Sequence, residues 1–443
     1  MAVGPEAAPI PELPPAPAPS GAAPTNQGPT YTSPINPATV TGQSELSTPA
    51  PPAMAALPVT SGDSSTSRKF YTLSASLREI YDDNVNTSST NAQSSFETEL
   101  SPSVLVDFPN QGSDFNARYT LDLTYYTVGN NNGSGTGTGK NASEFDVAHE
   151  VVATYTHAFS DRFDLILAES FRYFTEPSID QSTGTNYQNG PYATNIFNAS
   201  FTSQWTPLIG SSTSFSNTVV NYQDSIVGQQ QNSIENTGTQ TINYSILPKV
   251  STGVGATVDN ITYDTANRGY TTYTGFGEGT WQVLPSLSVT GQGGGTYIVP
   301  LQGQDSVAPY GALTISWTLG ERSSLTFNYA HSVTPSDEIG ANGQISDRFN
   351  STFRYDITTR LSSHLQGSFT HANTSNGLAG SGTANNSEEE DDYYLDTGLT
   401  YQYNTYLNLD GGITLSGVDS NNSNTTNNSY TRDEVYMGVR GTY

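Results

Sequence analysis

The sequence predicts an all-β fold, namely an antiparallel transmembrane β-barrel of about 18 strands that follows a disordered N-terminal extension. A barrel of about 16 strands is the alternative. Three patterns predict it: long segments of alternating apolar and polar residues, connections that alternate in length, and Trp residues just before short turns. The composition agrees, because 13% charged and 34% hydrophobic residues fall short of what a large soluble core contains.

The first 68 residues form a segment of their own. They are rich in Pro, Ala, Ser and Thr, as in Pro14-Pro15-Ala16-Pro17, and almost lack aromatic residues. Such a stretch buries too little apolar surface to fold, so residues 1–68 are predicted to be a disordered periplasmic spacer. A tether to a periplasmic partner or to the cell wall is the alternative. The barrel is predicted to occupy residues 69–443.

Alternation with a period of two is the main evidence for strands. In the segment 117–125, Tyr119, Leu121 and Leu123 share one face, and Thr120 and Asp122 share the other. One apolar and one polar face per segment is typical of strands. The predicted strands of about 12–16 residues exceed the roughly 5–6 of globular proteins and suffice for the about 9–11 that cross a bilayer.

The connections between the predicted strands alternate between short and long. Leu247-Pro248-Lys249 is a short one, and residues 130–143 form a long one. Outer-membrane barrels have short periplasmic turns and long extracellular loops. We therefore expect both termini on the periplasmic side and the long loops outside. Alternation is weakest between residues 211 and 281, so the strand count is least secure there.

Aromatic residues mark the expected membrane interface. Trp205, Trp281 and Trp317 each precede a short turn, and an amphipathic indole favours the boundary between lipid and water. Tyr443 ends an alternating terminal segment that is similar to the signal read by the barrel assembly machinery of outer-membrane proteins. The expected partners are therefore outer-membrane lipid, lipopolysaccharide and that machinery, and a homo-oligomer stays open.

Several charged residues are predicted to face the lumen. An Arg that faces lipid near the bilayer midplane costs about 2–4 kcal/mol, so the polar faces must point inward. The residues predicted to line a pore are Arg78, Arg118, Asp122, Arg348, Arg354, Asp356, Arg360 and Arg440. Arg348, Arg354 and Arg360 repeat at even spacing, so they are predicted to share the inward face of one strand, with Asp356 among them. Either they form a basic wall opposite acidic groups and set ion selectivity, or they form ion pairs that brace the barrel.

The segment Leu77-Arg78-Glu79-Ile80-Tyr81-Asp82-Asp83-Asn84 resembles the first hairpin of the putative β-barrel porin 2 family. The resemblance implies an outer-membrane barrel, and a link of some members to exopolysaccharide export keeps that function open. Asp82, Asp83 and Asn84 also favour a turn, because their side chains bond to nearby backbone. Calcium binding by Asp82 and Asp83 is the alternative.

A second acidic segment falls in a predicted long outer loop. It consists of Glu388, Glu389, Glu390, Asp391 and Asp392. Blocks of like charge are usually solvated. The alternative is binding of divalent cations that bridge to lipopolysaccharide.

Other classes of function are disfavoured. A net charge of −26 argues against a nucleic-acid partner, and the chain has no Cys. No local motif for catalysis or phosphate binding occurs, so neither an enzyme nor a cofactor is predicted. The leading function is a channel for passive diffusion of ions and small hydrophilic solutes. An exopolysaccharide export conduit and a structural envelope anchor with a filled lumen are the alternatives.

Overall fold

The computed structural model describes residues 70–110, 112–127, 145–175, 178–180, 185–187, 190–223, 231–264, 268–336, 341–374, 378, 389–421 and 429–443, with backbone alone for 178–180 and 185–187. The predicted extension, residues 1–68, lies outside them. The strands are β1 (Tyr71–Asp82), β2 (Ser95–Asn110), β3 (Ser113–Tyr126), β4 (Phe145–Ser160), β5 (Phe163–Phe174), β6 (Ser178–Asp180), β7 (Thr185–Tyr187), β8 (Tyr192–Gln204), β9 (Ile209–Tyr222), β10 (Ser233–Leu247), β11 (Val250–Tyr263), β12 (Gly269–Leu284), β13 (Leu287–Pro300), β14 (Ser306–Leu319), β15 (Ser323–Thr334), β16 (Gln344–Asp356), β17 (Leu361–Asn373), β18 (Glu389–Gln402), β19 (Leu407–Ser420) and β20 (Tyr430–Thr442).

Eighteen of these strands form one closed antiparallel sheet in chain order. The last strand, β20, pairs with β1 from Ser74–Thr442 to Asp82–Glu434 and so closes the barrel. The short strands β6 and β7 pair only with each other, within the connection from β5 to β8. The prediction of 18 strands is confirmed, including the weakly alternating region, which forms β9 to β12.

Each barrel strand has an outward and an inward face. In β1, Leu73, Leu77 and Tyr81 are exposed on the outside, whereas Arg78 and Ile80 are buried on the inside. Large apolar side chains are exposed on the outward faces of the other strands as well. The predicted alternation therefore describes the two surfaces of the barrel wall.

The two ends of the barrel differ in their connections. At one end, turns of two to four residues join the strands, and the C-terminus lies there too. At the other end, the connections have five to eighteen residues. The predicted alternation of connection length is therefore confirmed. Among the described residues, no helix is long and apolar enough to cross a membrane.

The buried apolar residues lie inside the barrel at the end with the long connections. One cluster joins Ile261, Tyr270 and Ile298 of the inner wall to Leu378, which comes from the connection between β17 and β18. The neighbouring connections are bonded together, since Arg268 donates to the backbone oxygens of Ala341 and Ser336 at 2.5 and 2.6 Å. Parts of the long connections thus fold inward and pack on the lumen wall.

Two sequence expectations about strand ends are wrong. Arg360 lies in the turn between β16 and β17, where the amide of Leu361 donates to the hydroxyl of Thr358, so Arg360 does not share a strand face with Arg354. The segment Glu389–Asp392 belongs to β18 and not to a loop, because it pairs with β17. Both errors arise because strand ends depend on cross-strand pairing, which local composition does not reveal.

Candidate functional site

A belt of charged side chains lines one side of the lumen. It lies on seven strands that are neighbours around the closed sheet, β19, β20 and β1 to β5. We call it the charged belt, and its members are Asp410, Arg440, Arg78, Glu99, Arg118, Asp122, Glu150 and Arg172. Each member lies on the inward face of its strand, between residues whose side chains point outward.

Arg78 is held by contacts on two other strands. Its Nε donates to Oδ2 of Asp410 at 3.1 Å, and its guanidinium lies 5.2 Å from the ring centre of Tyr436. The side chain crosses over Gly438 of β20, where an added Cβ would lie 2.6 Å from Cγ of Arg78. Glycine at position 438 thus leaves the room that this ion pair needs.

Two arginines share one carboxylate further along the belt. Glu150 accepts from Nη2 of Arg118 at 3.3 Å and from Nη2 of Arg172 at 2.7 Å, each with a different oxygen. Three other nitrogens of the two guanidinium groups are buried without a hydrogen-bond partner in the described structure, Nε of Arg118 and Nε and Nη1 of Arg172. This part of the belt therefore offers more donors than acceptors.

Arg440 is the most isolated cation of the belt. It is 9% exposed, and it has neither an ion pair nor a hydrogen bond among the described residues. In the strand register, Arg440 lies two residues from Gly438, which pairs with Arg78 on one side and with Asp410 on the other. The acidic members Glu99 and Asp122 are grouped separately beside Ser101, whose hydroxyl donates to Glu99 at 2.7 Å.

The remaining residues predicted to line a pore lie away from the belt. Arg348 faces inward on β16 and donates to the hydroxyl of Ser332 at 3.1 Å. Arg354 and Asp356 are exposed near the end of β16, beside the short turn. The structure thus brings together four of the predicted residues, Arg78, Arg118, Asp122 and Arg440, and leaves the β16 group separate.

Sequence reasoning missed four members of the belt. They are Glu99, Glu150, Arg172 and Asp410. The alternation Phe171-Arg172-Tyr173 contains the same signal that identified Arg118 and would have revealed Arg172. The three acids become informative only through the strand register, which places Glu150 opposite Arg172 and Arg78 opposite Glu99.

The segment Asp82-Asp83-Asn84 fastens the first strand to the last. Asp82 is fully buried, and its Oδ2 accepts from Nη2 of Arg432 at 2.7 Å. Its Oδ1 accepts from the amide of Asn84 at 2.7 Å, which is the predicted turn. Nδ2 of Asn84 donates to the carbonyl of Thr431 at 2.7 Å, and Asp83 accepts from the amide of Asp433 at 2.8 Å. We call these contacts the seam clasp.

Among the described residues, the candidate calcium ligands do not form a group that could hold a metal ion. Both oxygens of Asp82 serve the seam clasp, and Asp391 pairs with Nδ1 of His371 at 2.7 Å. Within the described parts of the chain, no three His, Asp or Glu side chains are placed to hold a metal ion. Glu388 lies outside the described residues.

The predicted interface residues lie at the end with the short turns. Trp281 on β12 and Trp317 on β14 have exposed outward side chains, and Trp205 lies in the turn between β8 and β9. Tyr443 is exposed, and its amide donates to the carbonyl of Leu73 on β1. Their role at a membrane interface stays a prediction.

The opposite side of the lumen has a different chemistry. No Lys or Arg occurs within the ranges of β10 to β14. Their inward faces instead carry pairs of hydroxyl groups in direct cross-strand contact, such as Thr274 with Thr296 at 2.8 Å and Thr280 with Thr290 at 3.0 Å. We call the inward face of β10 to β14 the threonine wall.

Part of the chain matches a known protein family. Residues 306–443 match the protein family described as putative beta-barrel porin 2. The resemblance predicted from the first hairpin is confirmed, although the match covers the last third of the chain and excludes residues 77–84. Porins are channels of the outer membrane, so this match agrees with the closed barrel of 18 strands.

Three solved structures are similar to this chain at low sequence identity. OccAB4 of Acinetobacter baumannii is 10% identical with a TM-score of 0.42, over 85% of this chain and 99% of that chain. OccAB2 of the same organism is 12% identical with a TM-score of 0.45, over the same shares. OpdK of Pseudomonas aeruginosa, solved with vanillate, is 9% identical with a TM-score of 0.44, over 84% and 99%. No curated protein matches this chain significantly.

Proposed function

We propose that the protein is a passive outer-membrane channel for ions and small hydrophilic solutes. The observation that carries this proposal is the charged belt inside a closed barrel of 18 strands. Ionised groups on a lumen wall need water or counter-charges, and barrels of about 16–18 strands commonly enclose water. A hydrated path past these groups is what a diffusion channel requires.

The proposed orientation places the short turns and the termini in the periplasm and the long connections outside the cell. The alternation of connection length supports this orientation, because outer-membrane barrels share it. The outward apolar surface would then contact outer-membrane lipid and lipopolysaccharide. A protease added outside intact cells should cut the long connections and leave the short turns uncut, and the reverse pattern would refute the orientation.

The channel function is tested by single-channel recording of the refolded protein in a planar bilayer. We expect stable conductance steps in KCl. A variant that removes charge outside the barrel lumen, Arg322→Gln in the turn between β14 and β15, should conduct like the unchanged protein. Absence of conductance despite confirmed insertion would reject the proposal.

A structural barrel with a filled lumen is the second candidate. The observation that favours it is Leu378, which is fully buried against the inner wall at the end with the long connections. Under this hypothesis the inserted protein conducts nothing, and Leu378→Asp opens a current by driving that connection into water. Conductance of the unchanged protein would reject the filled lumen.

A further inference from the structure

Glu169 is an acid on the outward face of the barrel. It lies midway along β5 and shares a face with Leu167 and the exposed Phe171, whereas Arg172 faces the lumen. Its carboxylate has neither a hydrogen bond nor an ion pair among the described residues. An ionisable side chain in the hydrocarbon layer of a membrane is costly, and lipid tails offer it no hydrogen-bond donor. Glu169 therefore lies on a surface that suits a protein better than lipid.

The next strand of the sheet continues this polar outward surface. Asn195 of β8 shares a face with Phe201, which is exposed on the outside. In the register of β5 and β8, Glu169 lies opposite Phe197, two residues from Asn195. The side-chain amide of Asn195 has no hydrogen bond among the described residues. An outward donor without an acceptor thus lies close in register to an outward acceptor without a donor.

Outward amides occur on the following strands as well. Asn217 of β9 and Asn236 of β10 each lie two residues from an exposed apolar side chain, Phe215 and Ile234. Nδ2 of Asn217 donates to Oδ1 of Asn236 at 2.9 Å, and Nδ2 of Asn236 is left without an acceptor in the described structure. Asn260 extends the surface to β11. We call the outward surface of β5 and of β8 to β11 the amide face.

The outward surface of β18 has a different composition. Its exposed side chains include Tyr393, Leu395, Leu399 and Tyr401. Aromatic and aliphatic side chains of this kind are typical of a barrel surface that contacts lipid. Polar side chains such as those of the amide face form hydrogen bonds between neighbouring membrane-spanning segments. The two surfaces therefore favour different neighbours.

We propose that the amide face is the contact surface for a second copy of this chain. The face is self-complementary, since it carries an acceptor on β5 and donors on β8 and β10. A two-fold axis can therefore bring Glu169 of one protomer to Asn195 of the other, and the reverse. No described barrel strand carries an outward Lys or Arg, so the second copy meets Glu169 with amides and not with a cation. The inference uses the proposed membrane location and is independent of conduction.

The size of the amide face fits such a contact. Its five strands are neighbours in the sheet. At a spacing of about 4.8 Å, and over an apolar band about 25 Å tall, they offer roughly 600 Å² per copy. Two copies would bury about 1,200 Å², which is the lower end of the range for specific complexes. We therefore expect a dimer that dissociates on dilution in the membrane.

The test uses single cysteines, because the chain has no Cys of its own. Ala199 lies on the amide face in β8, and Ala75 lies on the outward face of β1, five and four residues from the strand ends at the short turns. Each is replaced by Cys, and the refolded full chain is treated with a short bismaleimide in phosphatidylcholine vesicles. We expect Ala199→Cys to give cross-linked dimers, whose fraction falls as lipid is added, and Ala75→Cys to give few.

Two further variants are made in the Ala199→Cys background. Glu169→Leu and Asn195→Leu should each weaken association about tenfold, as expected when two symmetry-related hydrogen bonds are lost. The matched control is Glu79→Leu, which removes another outward acid, whose Oε2 accepts from Thr98 at 2.8 Å. This control should leave association unchanged. Barrel formation by each variant is checked by its gel mobility before and after heating.

Equal cross-linking of Ala199→Cys and Ala75→Cys overturns the proposal. So does Glu169→Leu if it raises the unfolding midpoint without changing association, because Glu169 would then contact lipid alone. A loss of association as large in Glu79→Leu as in Glu169→Leu would also overturn it. Cross-linking and conductance are separate measurements, so the interface can fail while the channel stands, and the channel can fail while the interface stands.

Discussion

The charged belt and the threonine wall are two solutions to the same problem, which is how to fill the inward face of a barrel with polar groups. On the threonine wall, hydroxyls meet hydroxyls on the next strand, as in Thr274 with Thr296. In the belt, arginines reach across strands to acids, as Arg78 reaches Asp410 over Gly438. The hydroxyl pairs satisfy each other, whereas the belt retains unsatisfied donors. The belt is therefore the side on which we expect solutes to bind.

The distribution of arginines strengthens this contrast. Every arginine on a described barrel strand has an inward position, and none lies on the threonine wall. The seven are Arg78, Arg118, Arg172, Arg348, Arg354, Arg432 and Arg440. The inner wall opposite carries Thr and Gly with a few acids, so the two sides of the lumen differ in the charged groups that they offer to a solute.

The largest expected effect comes from the seam clasp, which lies at the end of the barrel with the long connections. Asp82→Ala leaves the buried Arg432 without its closest carboxylate, so the free energy of unfolding should fall by about 3 kcal/mol. Glu434, 2.9 Å from Nη2 of Arg432, keeps the loss at the low end of the range for buried pairs. The measurement is the urea midpoint of the refolded protein.

The matched control for the seam clasp is the adjacent acid. Asp83 accepts one backbone hydrogen bond on the exposed side of the strand, so Asp83→Ala should cost less than about 1 kcal/mol. Equal losses in the two variants would show that the buried ion pair with Arg432 is not what holds β1 against β20.

The seam clasp also shows where sequence reasoning stops. The turn at Asp82-Asp83-Asn84 was predictable, because those side chains bond to backbone two residues away. The pair of Asp82 with Arg432 was not, since 350 residues separate the two partners. Likewise, the inward direction of Arg78, Arg118 and Arg440 followed from alternation alone, whereas their partners required the strand register.

The fold could be predicted from the sequence more fully than the candidate site, for a physical reason. Alternation and connection length are local properties, and together they predicted 18 strands and their faces. The ends of strands depend on pairing with neighbouring strands, which the local sequence does not reveal. The sequence therefore predicts Arg360 on a strand and Glu389–Asp392 in a loop, whereas the structure places Arg360 in a turn and Glu389–Asp392 on β18. Leu378 packs inward against residues of other strands, such as Ile261 and Ile298, so the sequence around Leu378 does not predict this contact.

An intermediate effect is expected from two adjacent glycines on the strand β13. At Gly294, on the inward face, an added Cβ would lie 2.0 Å from the backbone oxygen of Gly275. Backbone must then move, so Gly294→Ala should lower the free energy of unfolding by about 1–3 kcal/mol. At Gly293, on the outward face, the same Cβ meets nothing within 4 Å. Gly293→Ala should therefore leave stability unchanged or raise it by up to about 1 kcal/mol, because glycine disfavours a strand.

The two glycine variants are compared by urea midpoints under the same refolding conditions. Changes of opposite sign in the free energy of unfolding would confirm that the inner face of β13 is tightly packed and that the outer face is open. A loss of similar size at Gly293 would contradict the assignment of faces along this strand, and with it the composition of the threonine wall.

The smallest expected effect tests whether the hydroxyl pairs of the threonine wall satisfy each other. Thr274→Val removes one partner and leaves the buried hydroxyl of Thr296 without its contact, so we expect a loss of about 1 kcal/mol in the free energy of unfolding. The double variant Thr274→Val with Thr296→Val removes both polar groups, and its stability should return close to that of the unchanged protein. A double-mutant cycle measures the coupling between the two positions. Additive losses would mean that each hydroxyl bonds to water in the lumen, in which case the threonine wall would be as open to solutes as the charged belt.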